Sequence, residues 1–386
     1  MLNILFVNDN LRLPAGITMF MKNIIDNCPS KDIKFSILTI ESERNNATEY
    51  FKNKGVTIYY MPGMTTTSSD SKIMKLLAMV NFVSLFSMRR FFAKFFSCYS
   101  FDIIHSHFSQ IDNLMFKEAK KRGVKCCISH SHSSQLSDSK LRALRNKIMC
   151  YGLHKRADYC AACSDNAGRA LFGASFINSS RRMIIKNGIN TTEFLFNLQK
   201  RSTIRQRYNI PDNSIVIGHV GRLNKVKNQT YLIDILSELQ NEKLRYVLLL
   251  VGSGECEKEL KLKAERDGLL DNIIFAGAQN DISSYLCAFD IFVMPSIHEG
   301  LGIAAVEAQA NGLECIVSSS VPHEVDLTGL TFMDISASPA LWADQIRRMP
   351  KRHHIEYNQA VKNIGYDINS VCKDLCKFYR EVSCTM

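Results

Sequence analysis

The chain has 386 residues, of which 46% are hydrophobic and 22% charged, the balance of a globular protein large enough for two domains. The start, MLNILFVNDN, lacks the pattern of a signal peptide, and no window of about 18 uncharged apolar residues predicts a membrane span. Thirteen scattered cysteines favour reduced thiols in a cytosolic protein. Cys160 and Cys163 form a CxxC without a second pair, which favours buried thiols over a zinc site.

The net charge of +11 lies in the first half of the chain. Residues 1–185 contain 26 Lys+Arg and 13 Asp+Glu, a net charge of +13, whereas residues 186–386 have 22 and 24, or −2. Such asymmetry indicates a polyanionic partner, but no zinc finger, RNP motif or arginine-rich run supports nucleic acid. The basic, aromatic segment 73–96, with Lys75, Arg89, Arg90 and Lys94, suits an anionic membrane surface. A core helix with snorkelling lysines is the alternative.

Short apolar runs alternate with amphipathic stretches, which predicts an α/β fold with parallel sheets. The predicted strands of the first half are NILFVN, FSILTI, VTIYYMP, DIIHSH, VKCCISHS and DYCAACS. The pattern starts again after residues 186–200 with SIVIGHVG, YVLLLVGSG, NIIFAGA, IFVMPS and CIVSSS. Two Rossmann-like domains accommodate these strands better than one sheet does. The tail, residues 353–382, is predicted to be helical.

Glycine-rich turns follow several predicted strands: PAGITMF, GRLNKVKN, VGSGE and PSIHEGLG. Such turns let the backbone approach a phosphate group. None is a GxGxxG with an acidic ribose ligand, and neither a GxxxxGK[ST] nor a DxD occurs. A bound diphosphate would therefore need protein cations. Arg222 and Lys227, five positions apart, are the candidates, and a solvated surface pair is the alternative.

The stretch HEGLGIAAVEAQANG sets Glu299 and Glu307 among small and apolar residues. Burying a carboxylate in such surroundings costs roughly several kcal/mol of free energy unless the carboxylate has a hydrogen-bonding or charged partner. In one interpretation, Glu299 lies at a helix N-terminus and Glu307 lies on a solvated face of the helix. In the other, both carboxylates bind hydroxyl groups of a ligand.

Taken in order, the motifs resemble those of the retaining glycosyltransferases of family 4. The resemblance rests on IIKNGINTTEF, GHVGRLNKVKNQTYLIDIL, LLLVGSGE and IIFAGAQNDISSYLCAFDIFVMPSIHEGLGIAAVEAQANG. In the first half, FDIIHSHFSQ, AKKRGVKCCISHSHSS and ACSDNAGRALFG resemble the branch that builds bacterial capsules and exopolysaccharides. Departures from the pattern are Ala15-Gly16 for a glycine pair, Thr18 for an acidic residue, and Gly302 and Glu314 where proline is common.

This resemblance implies the GT-B fold, an α/β architecture of two Rossmann-like domains with parallel sheets facing across a cleft. The implied domains are an acceptor-binding domain at 1–187, a nucleotide-sugar-binding domain at 188–360, and a C-terminal helix at 361–386 that crosses back. The implied function is hexosyl transfer from a UDP-sugar to a lipid-diphosphate-linked saccharide in surface polysaccharide biosynthesis. The enzyme would need no metal or other cofactor and no nucleic acid, and would lie in the cytoplasm on the inner face of the cell membrane. A GT-B-fold UDP-sugar epimerase is the alternative.

The resemblance also assigns roles to single residues. Glu307 would bind the ribose hydroxyls and Glu299 would face the donor sugar. The remaining donor-binding groups would be Gly252, the backbone amides of Gly300, Leu301 and Gly302, and the diphosphate-stabilising set of Arg222, Lys227 and the Gly16 amide. No carboxylate stands out as a nucleophile, so same-face substitution, assisted by the leaving phosphate, is implied. His130 resembles the family's cleft histidine, but His105, His107 and His132 lie close in sequence, and a structural role remains open for each.

Overall fold

The computed structural model describes residues 1–13, 16–40, 46–61, 82–133, 140–240, 244–350 and 354–384. The chain divides into two compact units. The first consists of Met1–Gly188 together with Ile368–Met386, and the second consists of Ile189–Asp367. Each unit is built on one sheet of parallel strands connected by helices, as the alternating sequence pattern predicts. Within the described ranges, no helix is long and apolar enough to cross a membrane.

The first unit contains a seven-stranded sheet. Its strands are β1 (Leu2–Val7), β2 (Ile33–Thr39), β3 (Thr57–Tyr60), β4 (Ile103–Ser106), β5 (Cys126–Ser131), β6 (Tyr159–Ala162) and β7 (Arg182–Ile184). Their order in the sheet is β3-β2-β1-β4-β5-β6-β7. The helices are α1 (Gly16–Asn27), α2 (Asn46–Asn53), α3 (Phe82–Cys98), α4 (Ser109–Lys120), α5 (Lys140–Met149), α6 (Leu153–Arg156) and α7 (Asp165–Phe172), followed by a 3-10 turn at Ala174–Asn178.

The second unit contains a six-stranded sheet. Its strands are β8 (Ile215–Val220), β9 (Tyr246–Val251), β10 (Ile273–Gly277), β11 (Ile291–Met294), β12 (Glu314–Ser318) and β13 (Thr331–Met333). Their order is β10-β9-β8-β11-β12-β13. The helices are α8 (Leu198–Arg207), α9 (Gln229–Leu239), α10 (Glu257–Arg266), α11 (Ile282–Ala288), α12 (Ile303–Ala310), α13 (Pro339–Arg348) and α14 (Glu356–Val361). Shorter helical turns occur at Leu270–Asn272, His323–Val325 and Lys362–Tyr366.

The last helix, α15 (Ile368–Cys384), belongs to the first unit. Its buried residues recur three or four positions apart, so that one apolar face packs on α1 and on the core of the first sheet: Ile368, Val371, Cys372, Leu375, Cys376, Tyr379 and Val382. The sequence assigned residues 361–386 to this returning segment. Residues 361–367 instead belong to the second unit, because the left-handed backbone at Gly365 (φ +94°) ends the preceding helical path.

Helix α3 covers the described part of the basic, aromatic segment 73–96. Three of its aromatic side chains, Phe92, Phe95 and Phe96, are 0%, 6% and 4% exposed and pack in the protein core, whereas Phe86 is 69% exposed. Arg89 Nε lies 3.0 Å from Glu118 Oε1 on α4. Residues 82–96 therefore fit the alternative of a core helix, and residues 73–81, with Lys75, lie outside the described ranges.

The CxxC cysteines lie at the end of β6. Cys160 and Cys163 are each 2% exposed. Burial raises the pKa of the Cys160 thiol to about 12, so this sulfur stays protonated at neutral pH. The prediction that both thiols are buried is confirmed.

Candidate active site

The sheet of the second unit changes direction between β8 and β11. From the central strand β8 the chain first adds β9 and β10 on one side, and then β11, β12 and β13 on the other. Ligands of doubly wound sheets bind beyond the carboxyl ends of the strands at such a switch point. The loops that follow β8 and β11 carry Arg222, Lys227 and Glu299, so three predicted site residues meet the edge where a ligand is expected.

Backbone and side-chain hydrogen bonds fasten these two loops together. The Ile297 N–H donates to the Val226 carbonyl at 2.8 Å, and the Asn228 side-chain amide donates to the Pro295 carbonyl at 3.2 Å. Within the first loop, Asn224 Oδ1 accepts from the Lys227 N–H at 3.0 Å. The loop backbone is therefore held in place before any ligand binds.

Lys227 and Glu299 form an ion pair across these loops. Lys227 Nζ lies 2.5 Å from Glu299 Oε1, and the two side chains are 22% and 9% exposed. Each charge therefore has a partner within the protein. The sequence predicted both residues in the site but not their pairing with each other.

Arg222 lies in the same loop as Lys227 but contacts a different partner. Its guanidinium lies 3.0 Å from Glu255 Oε2, and the two side chains are 69% and 60% exposed. Exposed pairs of this kind contribute about 0–1 kcal/mol. The structure does not bring the two cations onto one partner, and Arg222 is free to reorient toward a ligand at little energetic cost.

Gly252 has a packing reason to be glycine. A Cβ at this position, which has φ +140°, would lie 1.9 Å from the Gly221 carbonyl oxygen, and one at Gly254 would lie 2.2 Å from that of Leu223. The Gly252 N–H already donates to the Gly277 carbonyl at 2.8 Å. Its contribution is to let the loops after β8 and β9 approach each other.

The loop after β11 leads directly into α12 through Gly300, Leu301 and Gly302. Leu301 is 4% exposed and anchors the loop in the core. Gly302 precedes the first residue of α12 and has φ +84°. Proline, which fixes φ near −65°, cannot adopt this conformation, so the glycine that replaces the common proline changes the backbone at the helix start.

Glu307 lies in α12 and is partly buried. Burial, with a smaller effect of the Glu193 carboxylate, raises its pKa to about 8. Among the residues that the structure describes, no group donates a hydrogen bond to its carboxyl. A partly buried carboxyl to which no described residue donates suits the hydroxyl groups of a ligand.

Two buried residues that the sequence did not single out hold the Arg222 loop. The His219 Nδ1–H donates to the Val293 carbonyl at 2.9 Å, so its Nε2 accepts from the Gln229 amide at 3.2 Å. The same amide donates to the Arg222 carbonyl at 2.8 Å. Burial lowers the pKa of His219 to about 4, which keeps this arrangement neutral. The signal was available, since both residues lie inside the motif GHVGRLNKVKNQ.

The first unit brings four histidines together where β4 and β5 end. His105 and His130 lie on the strands, and His107 and His132 follow them. Phe20 of α1 packs against all four rings at centroid distances of 5.2–6.3 Å. Burial lowers the pKa of His105 and His132 to about 3 and holds those of His107 and His130 well below 6.5. All four imidazoles are therefore neutral at physiological pH.

Three of these histidines also form a set with metal-ligand chemistry. His105, His107 and His130 offer nitrogens within 4.8 Å of one another, and imidazole suits zinc, copper and nickel. However, His105 Nε2 lies 3.0 Å from His130 Nδ1, the separation of a hydrogen bond in which one proton is shared.

Gly16 is the first residue of α1 and is exposed. The first N–H groups of a helix have no partner within it, so the Gly16 amide has the character expected of an anion ligand.

Two doubly wound parallel units, one with paired charges at its switch point, define the architecture of the GT-B glycosyltransferases. The chain matches the model described as Glycosyltransferase Family 4 over residues 16–193 and that described as Glycosyl transferases group 1 over residues 200–332. The chain belongs to the family 4 glycosyltransferases, which confirms the resemblance in its motifs.

Relatives share much of the chain's length. The Bacillus subtilis (strain 168) protein EpsF, named as a glycosyltransferase, is 32% identical over 69% of this chain and 71% of its own. An Escherichia coli enzyme is 28% identical over 74% of this chain and 72% of its own, and its name is UDP-Gal:alpha-D-GlcNAc-diphosphoundecaprenol alpha-1,3-galactosyltransferase. The Staphylococcus aureus capsular polysaccharide biosynthesis glycosyltransferase CapH is 26% identical over 91% of each chain.

Solved structures share the fold. A glycosyltransferase from Rickettsia africae ESF-5 has a TM-score of 0.74 at 18% identity, covering 99% of this chain and 98% of its own. Anabaena HepE, in complex with UDP and glucose, has a TM-score of 0.73 at 17% identity, covering 99% and 100%. The predicted α/β fold of two Rossmann-like domains with parallel sheets is thus confirmed.

Proposed function

We propose that this glycosyltransferase moves a hexosyl residue from a UDP-sugar to a lipid-diphosphate-linked saccharide during the assembly of a bacterial surface polysaccharide. The reaction retains the anomeric configuration and needs no metal. The relatives support the pathway and the acceptor class: one is named as an enzyme that uses UDP-Gal and a diphosphoundecaprenol-linked sugar, and CapH is named for capsular polysaccharide biosynthesis.

The observation that carries this proposal is the site at the switch point of the second sheet. It combines the Lys227–Glu299 pair with Glu307, whose carboxyl has a pKa raised to about 8. Glu307 suits the ribose hydroxyls, which would donate the hydrogen bonds that its carboxyl lacks within the described residues. The start of α12, with Gly300, Leu301 and Gly302 before it, suits an anionic group.

Charge development assigns the catalytic roles. As the glycosidic bond breaks, negative charge grows on the departing diphosphate and positive character grows on the sugar. Arg222, Lys227 and the amide of Gly16 stabilise the diphosphate, and Glu299 positions the sugar or stabilises its positive character. His130 donates a hydrogen bond to the substrate. The leaving phosphate assists deprotonation of the acceptor hydroxyl, which attacks from the same face.

The ion pair adds a step to this scheme. Because Lys227 already contacts Glu299, the donor diphosphate competes with a carboxylate for the ammonium group. Binding of the donor weakens this contact and leaves Glu299 available to the sugar. Lys227 and Glu299 thus stop contacting each other, and Lys227 contacts the diphosphate while Glu299 contacts the sugar of the same donor.

Helix α5 suits the proposed contact with the inner face of the cell membrane. Leu141, Leu144 and Ile148 lie along one side of it and are 57%, 57% and 62% exposed, and Tyr151, which follows, is 87% exposed. The opposite side, with Asn146 4% and Cys150 6% exposed, packs on the protein.

The charges around this face fit an anionic surface. Residues 141–157 contain five basic residues and no Asp or Glu: Arg142, Arg145, Lys147, Lys155 and Arg156. An exposed apolar stripe flanked by basic residues is the pattern of a helix that lies in the lipid headgroup region. This face is a better candidate for the membrane contact than α3, where Phe86 is exposed but Phe92, Phe95 and Phe96 are buried.

The test is a transfer assay with purified protein, a panel of UDP- and GDP-sugars and a diphosphoundecaprenol-linked sugar acceptor. We expect release of free UDP that depends on the acceptor, a product that keeps the anomeric configuration of the donor, and unchanged rates in EDTA. Conversion of the sugar nucleotide to its epimer without an acceptor would identify an epimerase instead, and an inverted product would contradict the retaining mechanism.

A further inference from the structure

A hydrogen-bonded chain in the first unit connects His130 to the C-terminal helix. The Tyr379 hydroxyl on α15 lies 2.6 Å from His105 Nδ1 on β4, and His105 Nε2 lies 3.0 Å from His130 Nδ1 on β5. Tyr379 and His105 are fully buried and His130 is 2% exposed. Three residues from separate stretches of the chain therefore form one line of hydrogen bonds, Tyr379–His105–His130, inside an apolar layer.

The chemistry of the groups fixes the direction of this line. Within the described residues, His105 is the hydroxyl's partner, and burial raises the pKa of Tyr379 well above its usual value, so the hydroxyl keeps its proton. If Tyr379 donates to His105 Nδ1, then His105 Nε2–H donates to His130 Nδ1, and the remaining proton of His130 is on Nε2. The reverse direction would leave the buried tyrosine proton without a partner, whereas His130 Nε2 has none within the described residues in either direction.

His130 Nε2 is the open end of the chain. It is a buried atom for which the described residues offer no hydrogen-bond partner. Buried polar atoms are nearly always paired, so an unpaired one calls for a partner beyond the described residues. With its proton on Nε2, His130 offers that group a donor.

We propose that Tyr379 and His105 are positioning residues that fix His130 in the tautomer with its proton on Nε2, so that it donates to a hydroxyl or phosphate oxygen of the sugar nucleotide. This inference rests on the proposed function for its ligand, but the tautomer exists without any ligand. Helix α15 thereby determines which nitrogen of His130, near the end of β5, has the proton. It does so through Tyr379, which lies 274 positions from His105 in the sequence.

Nitrogen-15 spectra of histidine-labelled protein measure the tautomer directly. The chain has ten histidines, and the signal that disappears in His130→Gln identifies the residue. We expect His130 to carry its proton on Nε2 in the wild type and to become a mixture of both tautomers in Tyr379→Phe. Tyr159→Phe is the matched control, because Tyr159 packs its ring on Phe378 of the same helix at a centroid distance of 4.8 Å.

Substitutions at the middle of the chain test its direction. The side chain of His105→Gln accepts from Tyr379 through its oxygen and donates to His130 through its nitrogen, so it preserves the polarity of the line. His105→Leu removes the line altogether. We expect the Nε2–H tautomer to persist in His105→Gln and to be lost in His105→Leu. Tyr379→Phe should melt below Tyr159→Phe, because Tyr379→Phe leaves a buried histidine nitrogen without its hydrogen-bond donor.

Kinetics connect the tautomer to the reaction. Tyr379→Phe should lower kcat/KM for the sugar nucleotide by roughly 5- to 20-fold, as expected for a weakened hydrogen bond. The affinity for free UDP should stay unchanged if His130 donates to a sugar hydroxyl and should fall if it donates to a phosphate oxygen. His105→Gln should recover kcat/KM relative to His105→Leu. Tyr159→Phe should lower kcat/KM by less than Tyr379→Phe does, and this loss should not depend on pH. It measures the effect of packing alone.

The two readouts separate this inference from the proposed function. An unchanged His130 tautomer in Tyr379→Phe overturns the positioning role, and so does one equivalent of zinc in the purified protein, because a metal would replace the proton between His105 and His130. A changed tautomer with unchanged kcat/KM upholds the positioning role and overturns the assignment of His130 to the donor.

Discussion

Lys227 Nζ lies 2.5 Å from Glu299 Oε1, although 72 positions of sequence separate the two residues. The pair forms because β8 and β11 are neighbours in the sheet, so the loops that follow them meet. It joins the cation that we assign to the diphosphate with the carboxylate that we assign to the donor sugar. The structure therefore pairs these two charges with each other, and we expect a bound donor to separate them.

The first prediction concerns Glu299→Gln. An amide holds the Lys227 ammonium less strongly than a carboxylate does, so UDP affinity should stay equal or rise. Turnover should fall by roughly 10²–10³-fold, because the group beside the reacting sugar loses its charge. Titration calorimetry with UDP and steady-state kinetics measure the two effects. The exposed Glu265 provides the control, Glu265→Gln, and a large loss of UDP affinity in Glu299→Gln would instead assign Glu299 to the nucleotide.

The second prediction concerns Arg222→Ala. Loss of a cation from the leaving diphosphate should lower kcat by roughly 10²–10³-fold, equivalent to about 2–4 kcal/mol in the transition state. The melting temperature should not change, because the exposed Arg222–Glu255 pair contributes about 0–1 kcal/mol. Glu255→Gln removes the same pair from the other side and should retain activity. Equal losses in both variants would mean that the pair, and not the cation, matters.

The sequence predicted the buried strands and missed two short ones. Central strands such as β8 and β9 are continuous apolar runs, which is the pattern of a parallel strand covered on both faces. β7 and β13 have only three residues each, lie at sheet edges and are incompletely buried, so their sequences RMI and TFM carry no such pattern. The end of the second unit was also placed too early, because the helical tail pattern does not reveal the break at Gly365.

The sequence named candidate site residues one by one, but it did not predict their contacts. Motifs identified Lys227, Glu299 and Glu307, whereas the pairing of the first two depends on which strands become neighbours. The contact between His105 and Tyr379 spans 274 positions and depends on the return of α15 to the first unit. No local pattern encodes either contact. For Gly252 the motif predicted a ligand-binding residue, whereas the structure shows a packing requirement: a Cβ there would clash with the loop after β8.

The third prediction uses the raised pKa of Glu307. Ribose hydroxyls donate to the ionised carboxylate, so binding should lower its pKa from about 8 and release a proton at pH 7. UDP affinity should therefore rise with pH toward 8, at most about tenfold per unit. Calorimetry in buffers of different ionisation enthalpy counts the protons between pH 7 and 9, where the nucleotide's own ionisation is complete. Glu307→Gln should bind more weakly and lose this pH dependence, and a wild type without proton release would contradict the assignment.

The fourth prediction also concerns Glu307. UDP affinity should rise with pH, whereas the contribution of this residue to the stability of the folded protein should fall with pH. The folded pKa of Glu307 is raised above its unfolded value, so the folded state binds the extra proton between about pH 4.5 and 8. Its contribution to the free energy of unfolding therefore falls as pH rises through this window. Glu307→Gln should melt at a higher temperature than the wild type at pH 8.5, with a smaller difference at pH 5. A variant that is less stable at both pH values would show that the carboxyl has partners in the protein.

The last prediction concerns the exposed face of α5. Leu141→Gln, Leu144→Gln and Ile148→Gln together should lower binding to anionic vesicles by about 100-fold, since each side chain buried among lipids contributes on the order of 1 kcal/mol. The fold should persist, because all three side chains are more than half exposed. Exposed leucines of the second unit supply a matched control, the combined Gln variants of Leu195, Leu262 and Leu270. Arg90→Gln with Lys94→Gln on α3 should have a small effect, and high salt should weaken wild-type binding by screening the basic flanks. If the α3 variant abolishes co-sedimentation with vesicles and the α5 variant does not, the membrane contact lies on α3.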